Sequence, residues 1–272
     1  VSVMFAFDTS ILADLQRHAI GKDVLICPYP RTEMGWDPAL ERAFLERVLR
    51  ERHRGLLAFC TPTPPRNDLV LRELDAAGVH VLHVEHYRTE PPEQPYMLPD
   101  YRRAGHMAAV RLLLAGYATV VCTKAACDWP GALLLRQGFG EAIADQRGAA
   151  AAQTCFHEYP LNARYTAKAR TELARMVQAF PKPVGILCTS PTMAGEILDA
   201  AAAAGIACPE ELGVIAAPFT DFPMENTRFD IIEFGLKEHL KRALDCVAAP
   251  EWTAPREWLS PRITQYGSVR ES

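Results

Sequence analysis

The chain has 272 residues, 49% apolar and 23% charged, a globular balance that excludes the disordered and fibrous classes. Its 29 Lys and Arg stand against 33 Asp and Glu, and a net charge of −4 lacks the basic footprint of a nucleic-acid-binding module. No apolar run reaches the ~18 residues of a membrane span, and no signal-peptide pattern opens the chain, which starts at Val1 and is expected to be a segment of a longer protein.

Short continuous apolar runs alternate with helical patterns along the chain. Strands are expected at Val3–Phe7 and Val24–Cys27, then a helix at Pro38–His53 with Asp37 as its cap and Pro38 in its first turn. There follow strand Leu56–Cys60, helix Leu69–Ala77, strand Val79–Val84, and a Pro-rich stretch from Pro91 to Pro99 read as a surface excursion. The order continues with helix Tyr101–Ala115, strand Thr119–Cys122, helix Gly131–Asp145 and strand Thr154–His157. Helix Ala167–Phe180, strand Val184–Cys188, helix Thr192–Ala204 and strand Val214–Ala217 complete it. Strands that are apolar throughout belong to parallel sheets covered on both faces. Gly78, Gly116 and Gly205 end helices where positive φ is needed. Repeated βα units wind into open sheets through right-handed crossovers. The number of strands favours two successive sheets of about five, with a break near Leu114–Tyr117.

Eight cysteines fall mostly inside apolar runs such as LLAFC, ATVVC and VGILC, with no CxxC pair. They are expected to pack as small hydrophobes in a reducing compartment, which predicts a cytoplasmic protein.

Several segments resemble one known family. AGHMAAVRLLLAGY (104–117) is similar to the "aG-x-x-Aa-x-x-Ll-x-x-Gh" helix of the lactose-repressor/galactose-repressor family, and Asp100 stands where that family has an Asp-Asn pair. RQGFGEAI (136–143) resembles its "GF" segment. PVGILCTSPTMAGEILDAAAAAGIACPEELGVIA (183–216) matches its strand–helix–link–strand order, and QYGSV resembles its closing "R-x-S". The resemblance runs roughly from Leu98 to Ser268, while the first ~95 residues match only in element order.

The resemblance implies an α/β fold with two doubly wound parallel-sheet lobes and a cleft between them, of the type I periplasmic-binding-protein kind. One lobe would hold residues 1–114 plus about 236–249, and the other 115–235 plus about 250–272. In that family the fold senses a small-molecule effector and forms homodimers for a transcription regulator. DNA is contacted only through a separate helix-turn-helix domain, which some xylose-type members carry at the other end. No segment here has the pattern of a basic recognition helix.

In open α/β sheets ligands bind at the carboxyl ends of strands. The candidate ligand-binding residues are Asp8, Thr61, Asp100, Trp129, Ser190 and Phe234. Asp8 and Asp100 suit either ligand hydroxyls or helix caps, and Trp129 and Phe234 suit either stacking on a ligand or plain packing. Four positions depart from the family pattern. Leu135 stands where the family has its sugar-clamping Arg, Ser190-Pro191 where it has Asn-Asp, Pro218 where it has a later Asp, and Tyr266 where it has its closing Arg. Loss of that charged grip predicts either an effector less polar than a simple sugar or a lobe that senses nothing and only dimerises.

HVLHVEH (80–86) places one His–carboxylate pair on a strand face, too few ligands for zinc, so no metal and no cofactor is expected. No GxSxG, HExxH, P-loop or GxGxxG occurs, which argues against an enzyme. The leading reading is the effector-sensing and dimerisation domain of a bacterial transcription regulator, its dimer seam on the helices at Trp36–His53 and Thr192–Ala204. The alternatives are a solute-binding protein of a transporter and an α/β enzyme.

Overall fold

The computed structural model describes residues 2–3, 9–22, 24, 26–28, 37–60, 66–86, 88–124, 129–159, 167–217 and 227–271. The chain forms two compact units. The first holds residues 1–99, 129–131 and 235–259, and the second 100–128, 132–234 and 260–272.

The first unit begins with β1 (Ser2–Val3), α1 (Thr9–Ile20), β2 (Cys27–Pro28) and α2 (Pro38–Arg50). It continues through β3 (Gly55–Ala58), α3 (Asp68–Ala76), β4 (His80–His83) and β5 (Tyr96–Pro99). One later strand, named below, completes its six-stranded sheet, and one later helix packs on it.

The second unit starts with α4 (Tyr101–Leu114), β6 (Thr119–Lys124), α5 (Pro130–Arg147), whose first two residues belong to the first unit, α6 (Ala149–Thr154) and β7 (Phe156–Glu158). It goes on through α7 (Ala167–Ala179), β8 (Val184–Cys188), α8 (Pro191–Ala203), β9 (Leu212–Ala216) and β10 (Asp230–Glu233). The chain then supplies α9 (Leu236–Ala248) and β11 (Arg256–Leu259) to the first unit, and β12 (Arg262–Thr264) to the second.

The first sheet has the order β11-β5-β4-β3-β1-β2 with every pairing parallel. The second has the order β12-β10-β9-β8-β6-β7, parallel except for β12. The fold is therefore α/β with two doubly wound sheets. β3, β8 and β9 are buried at every position, as their uninterrupted apolar runs require. Asp37 caps α2 by accepting the amide N–H groups of Ala39 and Leu40 at 2.9 and 3.1 Å. Gly78, Gly116 and Gly205 all adopt positive φ behind their helices.

Three expectations need correction. Pro91 to Pro99 is no mere surface excursion, because Tyr96–Pro99 is a fully buried strand between β4 and β11. The prolines sit where no N–H is needed. Pro95 offers its carbonyl to His83 N–H at 3.0 Å, and Tyr96 N–H is the group that reaches Pro255 O at 2.8 Å. The units divide at Pro99/Asp100 instead of after Leu114, because α4 packs on the second sheet, with Leu112 against Gly185 of β8. β11 likewise joins the first sheet, whereas residues 250–272 were expected in the second lobe. Finally, Phe44, Leu45 and Val48 of α2 face their own core, which leaves that helix a charged outer face. Trp36 lies outside the described residues.

The helix pair α4–α5 is held by glycines. A Cβ on Gly105 would overlap the carbonyl oxygen of Leu135, and one on Gly138 would overlap that of Arg102. The two backbones touch, and Arg102 clasps Glu141 across the pair with two hydrogen bonds of 2.7 Å. Overpacking of this kind costs ~1–3 kcal/mol or more. G105A and G138A should each lower stability by at least that amount in urea unfolding. Gly195 of α8, where a Cβ meets nothing within 4 Å, is the contrast: G195A should gain about 0.5–1 kcal/mol from helix propensity.

Candidate functional site

At the carboxyl ends of the second sheet, β6 ends on Thr123-Lys124 and β8 leads into Thr189-Ser190. Both threonines are buried. Thr189 N–H donates to Thr123 Oγ1 at 3.1 Å. Both threonine hydroxyls then turn to the Met193 sulfur, at 3.6 Å from Thr123 and 3.5 Å from Thr189. Met193 lies in the first turn of α8, so its side chain is aimed back over the strand ends. The same rim carries Tyr159, just past β7, whose hydroxyl donates to Glu196 of α8. Burial, followed by that carboxylate, pushes the Tyr159 hydroxyl pKa well above its usual value, so the phenol stays protonated.

The six candidate residues are placed as follows. Asp8 and Thr61 lie outside the described residues, as does Pro218. Asp100 caps α4, accepting Arg103 N–H at 2.9 Å. Ser190 caps α8, accepting Met193 N–H at 3.3 Å. Phe234, half-buried, meets Tyr101 edge-on at 5.0 Å, which brings it beside the residue that follows Asp100. Trp129 is half-buried in the first unit, its ring occupying the space a Cβ on Gly131 would need. Within the second unit the fold thus sets Phe234 against Tyr101, the neighbour of Asp100, and groups Ser190 with Thr189 and Met193.

Met193 is not among the sequence candidates. A lone methionine in a helix carries no signal of its own, and only the pairing of β6 with β8 puts its sulfur against hydroxyls 70 and 4 residues away.

The histidines of HVLHVEH are engaged in packing. His80 stacks on Trp252 at 4.8 Å and hydrogen-bonds Val247 O at 3.0 Å. Burial holds the His83 pKa down to about 3, so the ring is neutral. His86 meets Pro99 O at 2.9 Å, and Glu85 accepts its own neighbour's N–H at 2.7 Å. Among the described residues no three His, Cys, Asp or Glu side chains converge as a metal site.

Residues 111–230 match the family described as a periplasmic binding protein-like domain. No curated protein matches the sequence. A LacI-family transcriptional regulator from Enterococcus faecium, solved with bound ribose, superposes with a TM-score of 0.72 at 15% identity, covering 99% of this chain and 98% of that one. A LacI regulator from a Rhodococcus species gives 0.73 at 16%, with 99% and 98% covered. A sugar-binding LacI-family regulator from Escherichia coli, complexed with phosphate, gives 0.73 at 16%, with 99% and 97% covered.

The fold is the type I periplasmic-binding-protein-like fold. It is shared with LacI-family regulators along nearly the whole chain. In this periplasmic-binding-protein-like chain, Leu135 is 1% exposed, with its carbonyl against Gly105, so the position expected to carry a clamping Arg is sealed in the helix pair. Arg136, the next residue, is buried too, and its charge opposes the burial that raises the Cys122 thiol pKa. Tyr266 is half exposed, and its N–H binds Asp230 at 2.9 Å.

Replacement of Thr123 by Val keeps its shape and removes the acceptor of Thr189 N–H. A buried donor left unpaired costs ~1–3 kcal/mol, so T123V should lose that much in denaturant unfolding. T189V, which removes a hydroxyl but leaves the residue 189 N–H bonded to Thr123 Oγ1, should lose less.

Proposed function

We propose that the chain is the effector-sensing and dimerising part of a bacterial transcription regulator, acting in the cytoplasm and reaching DNA through a separate helix-turn-helix domain. The likeness to LacI-family regulators over 98–99% of this chain supports it. So do the thiols of Cys60, Cys122, Cys155 and Cys188, which are free and packed in the core in the manner of a reducing compartment. Among the described residues no helix is long and apolar enough to cross a membrane.

The effector is less polar than a simple sugar. The observation that carries this is the Met193 sulfur, which takes up both strand-end hydroxyls and leaves a soft thioether at the second sheet's carboxyl ends. Asp100 and Ser190 are the polar groups proposed to meet it, with Phe234 and Trp129 as stacking faces. Asp8 and Thr61 are proposed from the sequence alone. A sugar hydroxyl that loses water without a partner costs ~1–3 kcal/mol, and capping side chains do not replace an Arg fork.

A thermal-shift screen of common pentoses and hexoses, with calorimetry on any hit, should find nothing tighter than about millimolar. A micromolar sugar whose binding is lost in D100A would overturn the assignment of effector class.

The chain should also be a dimer. Large apolar side chains left exposed in the first unit include Ile20 of α1 (78%) and Leu69 of α3 (72%); α1 and α3 lie on opposite faces of the sheet, so each is a separate seam candidate in place of the Phe and Leu of α2. Sedimentation at micromolar concentration should give about twice the 30.1 kDa chain mass, and I20E/L69E should restore the monomer. A wild-type chain that stays monomeric across that range counts against the regulator.

A further inference from the structure

The second sheet has an uncovered corner remote from its carboxyl ends. β6 starts at Thr119, but its pairing with β7 starts only at Cys122 opposite Phe156. The crossover from β6 to β7 runs outward and the one from β7 to β8 runs back past β6, so right-handed connections put α5 and α7 on opposite faces. Both helices overhang the corner, and α6 closes its side. The result is a cavity of about 440 Å³ at the amino end of β6, within the ~300–1,000 Å³ typical of small-molecule sites.

Its chemistry is one-sided. Val120, Ile143, Cys155 and Phe180, all buried, make an apolar floor. Arg147, in the last turn of α5, stands at the rim. Its guanidinium spends two N–H groups on Ala118 O at 2.5 Å and Tyr117 O at 2.9 Å. Those bonds anchor it, and no carboxylate among the described residues pairs with it. Three donors remain in a planar fork suited to a carboxylate. His157 also lines the cavity, edge-on to Phe180 at 4.7 Å. Burial lowers its pKa, so it adds no second positive charge.

One cation over an apolar floor matches a monoanion that has an apolar body. A more highly charged, strongly hydrated anion would lose too much water there. We propose that this corner is a second ligand site, which binds a small carboxylate with its charged end on Arg147 and its apolar body on Val120, Ile143 and Phe180.

Met176 lines the cavity, whereas Met193 sits at the opposite strand ends, so methionine methyl resonances report on the two places separately. The full chain with 13C-methyl methionine is titrated with benzoate, hexanoate and benzyl alcohol at constant ionic strength. The carboxylates should shift Met176 saturably and leave Met193 in place, with benzyl alcohol at least about tenfold weaker. A151W, which fills the cavity and spares Arg147, should abolish the shift, and R147Q should weaken it at least about tenfold. If R147Q fails to fold, R147K takes its place and should weaken binding by loss of the fork.

No saturable Met176 shift up to about 10 mM, benzyl alcohol equal to benzoate, or binding unchanged in A151W would each overturn the site. So would a saturable shift at Met193 alone. Of these outcomes only the last touches the strand ends: a shift at Met193 alone would place the ligand at the proposed effector site instead of this corner, while the others leave that site and its sugar screen unaffected.

Discussion

Two helix backbones in direct contact set the frame of the second unit. Gly105 and Gly138 each remove the one atom that would hold α4 and α5 apart, and they do so reciprocally, each facing the other helix's carbonyl. A contact of that kind permits one axial register. Sliding either helix by a residue would set a side chain against backbone. The Arg102–Glu141 clasp holds that register, and the buried ring of Phe139 meets Phe156 of β7. With α4 fixed, Leu112 lies against Gly185 of β8, and the sheet's central strands are positioned by a helix that itself cannot shift. Gly105 and Gly138 are therefore there for packing, not for ligand.

Several polar groups described at the rim of that sheet are satisfied internally. The Thr123 hydroxyl accepts the Thr189 N–H, both threonine hydroxyls turn to the Met193 sulfur, and Asp100 and Ser190 cap helices. A site meant for several vicinal hydroxyls keeps unspent donors and acceptors in fixed positions. Among the described residues of this rim, the two threonine hydroxyls, Asp100 and Ser190 are already engaged, and the Met193 thioether lies against the threonines. Desolvation then favours a guest that asks for few hydrogen bonds.

Much of the fold could be read from the residues. Strands buried on both faces show as unbroken apolar runs, and β8 coincides with the expected Val184–Cys188. β5 was hidden because proline normally argues against a central strand, and only the ladder shows that Pro95 and Pro99 fall where no donor is called for. β11 was missed for a different reason. As an edge strand reading REWL, with only Leu259 buried, it carries the charge that protects an edge rather than the pattern that announces a strand. α9 does carry a helical stripe, in Leu236, Leu240, Ala243, Leu244 and Val247, and its place in the first unit follows from Gly55 of β3 packing on Val247. The site was less readable than the fold. Caps at Asp100 and Ser190 were foreseeable as local chemistry, but the Met193 bridge depends on strand register, which no local pattern encodes.

The discontinuity of the first unit has a consequence during synthesis. Its sheet lacks β11 and the covering helix α9 until the chain has been made past residue 259, by which time almost all of the second unit has left the ribosome. At a translation rate of about 5–20 residues per second, β5 waits about 10–30 s for its outer neighbour. Through that interval the fully buried strand Tyr-Met-Leu-Pro is a bare sheet edge on the nascent chain. The second unit, missing only β12 and the final turn, can close first, so the amino-terminal half of this chain is the later one to finish folding.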